Sequence, residues 1–105
     1  MSSLYARVFV TILESSIAED YAARHVFEDF LKVADYASGV VDMTRHALSR
    51  RFNIPLEVLN ENIAKLESPD PESRDPEGDG RRLIRLDPHR DWGWKIANWE
   101  KYQQI

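Results

Sequence analysis

The sequence predicts one α+β domain, mainly α, in which three helices pack together and a small antiparallel sheet with a β-hairpin closes them. Three observations carry this expectation. Apolar residues recur at spacings of three and four over about Asp20 to Tyr36 and again over Pro55 to about Glu67. Toward the C-terminus the period changes to two, as a half-buried strand requires. The length of 105 residues leaves room for a single core, so residues 1–105 are expected to form one domain.

The elements follow in order. Val8, Phe9, Ile12 and Leu13 fit a short helix or a strand, and a short helix is expected. From about Asp20 to Tyr36, Ala23, Val26, Phe27, Phe30, Leu31 and Ala34 make one wide apolar stripe, the mark of a core helix. Gly39 ends it, and Val40 to Met43 is short and β-branched. Thr44 then offers an N-cap for a helix over Arg45 to Phe52. Asn53-Ile54 makes a turn, and Pro55 sits where the first turn of a third helix favours proline. The buried stripe of that helix is Leu56, Leu59, Ile63 and Leu66. Three prolines and Gly78 and Gly80 mark residues 68–80 as a long exposed acidic loop. Arg82 to Leu86 and Trp92 to Ile96 read as the two strands of a hairpin, with Trp92, Trp94 and Ile96 on one face. A helix-turn-helix followed by a hairpin wing is the winged-helix arrangement.

Charge looks adverse to nucleic acid, with 14 Lys and Arg against 18 Asp and Glu. Six of those acids, with one arginine, lie between Glu67 and Asp79, and the rest of the chain carries 13 basic and 12 acidic groups. The net charge therefore leaves DNA open. Cysteine is absent, which excludes disulfides and thiol chemistry. With no apolar run of membrane-spanning length and no basic-then-apolar leader, a cytoplasmic protein without a membrane partner is expected.

The strings Gly39-Val40-Val41-Asp42-Met43-Thr44, Asn53-Ile54-Pro55-Leu56-Glu57, Gly80-Arg81-Arg82-Leu83-Ile84-Arg85-Leu86-Asp87 and Arg90-Asp91-Trp92-Gly93-Trp94-Lys95-Ile96-Ala97-Asn98 resemble the N-terminal winged-helix domain of phage and prophage replication proteins. That group is related to the replisome-organiser and DnaD-like primosome proteins. The resemblance implies an origin-binding or helicase-recruiting role.

For DNA, the candidate phosphate contacts are Arg45, Arg50, Arg51, Lys65, Arg81, Arg82, Arg85, Arg90 and Lys95, with His46 and His89 beside them. A wing arginine is the foremost single contact. Against DNA, the outer face of the third helix centres on Glu57 and Glu61, with Lys65 expected to pair with Glu61 one turn on. Glu57, Glu61, Trp92, Trp99 and Tyr102 are accordingly candidates for a protein or self-association surface.

No catalysis is expected. His25, His46 and His89 lie on separate elements without metal-ligand spacing, and no nucleophile motif or phosphate-cradling glycine loop is present. Arg74 interrupts the acids that a calcium loop would need. No cofactor or metal is therefore expected. The sequence reads as a non-catalytic DNA-binding or replisome-assembly module of phage-type replication initiation. The alternative is a winged-helix adaptor, inhibitor or oligomerisation module that contacts protein and leaves DNA alone.

Overall fold

The computed structural model describes residues 20–72 and 77–103. The expected element at Val8 to Leu13 lies outside these residues. The described chain is α+β and mainly helical: α1 (Tyr21–Val33), β1 (Val40–Val41), α2 (Arg45–Phe52), α3 (Leu56–Glu67), β2 (Leu83–Arg85), β3 (Trp94–Ile96) and α4 (Trp99–Gln103). The strands form one antiparallel sheet in the order β1-β3-β2.

α1 starts where Asp20 accepts from the Ala23 amide at 3.0 Å, and it buries Ala23, Val26, Phe27 and Phe30. It stops at Val33 rather than at Tyr36. Ala34 takes an extended backbone, and Asp35 instead folds a turn by accepting from the Ser38 amide and hydroxyl. Gly39 closes that turn at φ 72°, where a Cβ would stand 2.5 Å from the Trp99 ring. Only glycine fits such a position.

The sheet lays Trp94 and Ile96 onto the helices, both fully buried, with Phe30 edge-on to Trp94 at 5.5 Å. Leu48 of α2, Leu59, Ile63 and Leu66 of α3, Leu83 and Val41 complete the core. Burial of these stripes is what holds two helices of 8 and 12 residues, too short to persist alone in water.

The strands are shorter than expected, and Trp92 lies outside them, half-buried under the Arg90 guanidinium at 4.2 Å. Pro55 is the N-cap of α3, one position before the first helical residue. The acidic segment is not a freely exposed loop throughout. Its neck is tied by the Asp70 amide donating to the Asp79 carbonyl at 2.9 Å and by Arg82 paired with Asp70 at 3.0 Å, and Glu77–Gly80 form a turn of 3-10 helix.

Candidate nucleic-acid interface

α2 and α3 are joined by a short turn that local hydrogen bonds hold. Thr44 caps α2 through the Ala47 amide, and at the other end Asn53 adopts the left-handed region at φ 56°. The Ile54 amide donates to the Ser49 carbonyl and the Ser49 hydroxyl donates back to the Ile54 carbonyl at 2.6 Å. Asparagine tolerates the left-handed backbone better than most residues, so the joint is held locally as well as by the core.

Two charge groups flank this joint. Arg50 and Arg51 are exposed on the last turn of α2, where positive charge also complements the helix dipole. His46, one turn before Arg50, is exposed too. On the far side Glu57 and Glu61 stand exposed on α3, with exposed Val58 between them. Among the described residues none of these five charged or titratable groups has an ion pair. Lys65 does not turn to Glu61. Its ammonium meets Asp20 at 3.0 Å, bridging α3 to the start of α1 and, with the Ala23 amide that leads the effect, holding the Asp20 carboxyl below its ordinary range.

Most of the other candidate contacts are committed within the chain. Arg85 donates three hydrogen bonds of 2.7 to 2.9 Å to Glu67, whose Oε2 also accepts from the Trp94 indole at 2.9 Å. Arg82 pairs with Asp70, Arg81 with Asp79 at 3.4 Å and Arg90 with Asp87 at 3.6 Å. Arg45 donates to the Asp91 carbonyl and to Asn60 Oδ1, with its guanidinium 5.3 Å from the Trp94 ring, and so ties the hairpin turn to α2 and α3. Lys95 is exposed on the sheet face opposite Trp94 and Ile96, away from the helices. A cleft of about 410 Å³ beside β2 is lined by Glu67, Arg81, Leu83, Ile84, Arg85 and Pro88, and both of its arginines are ion-paired.

The aromatic candidates are turned inward. The Trp99 indole donates to the Tyr36 carbonyl at 2.7 Å, and Tyr102 meets Phe27 edge-on at 5.8 Å. Their roles here are packing and closure. Sequence reasoning missed Asn60 and the Asp91 carbonyl as the partners of Arg45, and no local pattern signals them. It also counted Glu67 only as the expected end of α3 and as one of the clustered acids, and did not foresee that its carboxylate holds both Arg85 and the Trp94 indole.

His25, His46 and His89 sit on α1, α2 and the hairpin turn, and among the described residues no three His, Cys, Asp or Glu are grouped to hold a metal. No helix among them is long and apolar enough to cross a membrane. No protein-family model, curated protein or solved structure matches the chain.

Proposed function

We propose that the chain is a winged-helix module of phage-type DNA replication initiation that acts by binding, has no catalysis of its own, and touches DNA through phosphates at its helix-turn-helix joint. Helix, strand, two helices and a hairpin, with strands in the order β1-β3-β2, support the winged-helix reading. The observation that supports DNA contact is the pair Arg50 and Arg51, exposed beside the joint and without an acid partner among the described residues, while most other candidate cations are neutralised within the chain. Two phosphate contacts position a domain without reading sequence. Binding is therefore weak, indifferent to sequence and salt-dependent.

The test is a fluorescence-anisotropy titration of duplex and single-stranded DNA at ~50 and ~200 mM salt. The R50A/R51A variant should lose affinity on every sequence alike and flatten the salt dependence by about two counter-ions. Absence of binding at the lower salt removes the DNA reading. A second reading, an adaptor that engages protein alone, is favoured by Glu57 and Glu61, which would face the phosphate-lined groove and form no ion pair among the described residues.

A further inference from the structure

We propose that the helix-turn-helix surface docks on the same surface of a second copy of the chain, Arg50 and Arg51 of each copy facing Glu57 and Glu61 of the other. This deepens the reading above, whose surface it shares. Five of the other candidate cations are satisfied internally: Lys65 on Asp20, Arg82 on Asp70, Arg85 on Glu67, Arg81 on Asp79 and Arg90 on Asp87. Among the described residues the charges flanking the joint form no ion pair, and they are segregated by sign. Positive charge ends α2, and negative charge begins α3, on either side of Asn53, Ile54 and Pro55.

A patch divided in this way complements itself under a two-fold rotation, because in such a contact residue i meets residue j and j meets i. The apolar centre that a contact of this kind needs is present in exposed Pro55, half-buried Ile54 and Val58, which is 39% exposed. Exposed ion pairs are individually weak and are screened over ~10 Å at 0.1 M salt, so the dimer is weak and dissolves as salt rises. It also covers the two arginines that would meet phosphate. DNA and the second copy therefore compete for one surface, and self-association holds the module in a DNA-free form.

The experiment is sedimentation equilibrium over a concentration series at ~50 and ~500 mM salt. The low-salt mass should rise from 12.2 kDa toward twice that value as concentration rises, and high salt should return it to the monomer. R50E/R51E and E57K/E61K should each remain monomeric, since both contacts then oppose like charges. An equimolar mixture of the two should recover a mixed dimer, and the fourfold variant R50E/R51E/E57K/E61K should recover a dimer on its own. All four positions are exposed, and a thermal melt of each variant confirms folding. A monomer at every concentration in low salt overturns the proposal. So does a dimer that both charge reversals leave intact, or a mixture that stays monomeric. DNA titration in parallel separates the two readings. A charge-dependent dimer without DNA binding removes only the DNA reading, and DNA binding by a strict monomer removes only the dimer.

Discussion

Replacing Glu67 should cost more than any ordinary surface ion pair, because its carboxylate serves a buried donor as well as a half-buried cation. The Trp94 indole, on a fully buried residue, donates to Glu67 Oε2 at 2.9 Å. Without that acceptor, a buried N–H is left unmet, at about 1–3 kcal/mol. Arg85, some 30% exposed, regains water in part, so its loss adds only about 1 kcal/mol. Glu67→Ala should therefore destabilise by about 2–4 kcal/mol, lowering the melting midpoint by roughly 10–20 °C. Glu67→Gln keeps an oxygen for the indole and gives up the ion pair, so about 1 kcal/mol is expected. Arg85→Ala should match the glutamine variant. Urea denaturation followed by tryptophan fluorescence supplies the stabilities, and indole proton exchange reads the Trp94 bond directly. An alanine variant within about 0.5 kcal/mol of the parent, or a glutamine variant as damaged as alanine, would refute the argument that the indole bond dominates.

Four further outcomes follow from the same geometry. Gly39→Ala should cost about 2–4 kcal/mol in a chemical melt, since it joins a left-handed backbone to a Cβ that has no room beside Trp99. Arg45→Ala should cost about 1–2 kcal/mol and speed amide exchange around Asp91, because the hairpin turn loses its tie to Asn60 and α2. Asn62→Leu should be neutral or stabilising by up to about 1 kcal/mol, as Asn62 is 2% exposed, its amide donates only to the Val58 carbonyl and its Oδ1 has no partner. Burial pushes the Asp29 carboxyl above its ordinary value of 3.8, so the folded state binds its proton more tightly than the unfolded chain does. Asp29→Asn should consequently be more stable than the parent at pH 7, and the gap between their melting midpoints should close as pH falls to 3.8.

Where the sequence was legible, a residue type had only one local use. Asn53 and Pro55 punctuate the turn between α2 and α3, Gly39 stops the chain beside Trp99, and the period-two spacing of Trp94 and Ile96 reveals the strand that closes the core. Boundaries were less legible where side chains compete with the backbone. Asp35 and Ser38 fold a turn that shortens α1 by three residues against the periodic expectation. The site was least legible, because a long cation chooses its acid by tertiary distance. Lys65 has Glu61 one turn away and yet meets Asp20, which lies 45 positions back in the chain. Trp99 and Tyr102 likewise read as an open aromatic patch until Tyr36 and Phe27 are seen beneath them.

The acidic balance of the chain bears on its function through these same pairings. Setting aside the acids between Glu67 and Asp79 leaves a nearly neutral body, which made a broad basic surface look available for DNA. That separation does not survive in three dimensions. Glu67 holds Arg85, Asp70 holds Arg82 and Asp79 holds Arg81, so three of the six acids that give the segment its charge cancel cations in and just before β2. Those three arginines are thereby withdrawn from the surface offered to DNA. At the turn between α2 and α3 the exposed charges are Arg50 and Arg51 on one side and Glu57 and Glu61 on the other. A surface of that kind attracts phosphate at one end and repels it at the other. Reversing the two glutamates should therefore raise DNA affinity by more than removing either one, because a repulsion is replaced by two further phosphate contacts.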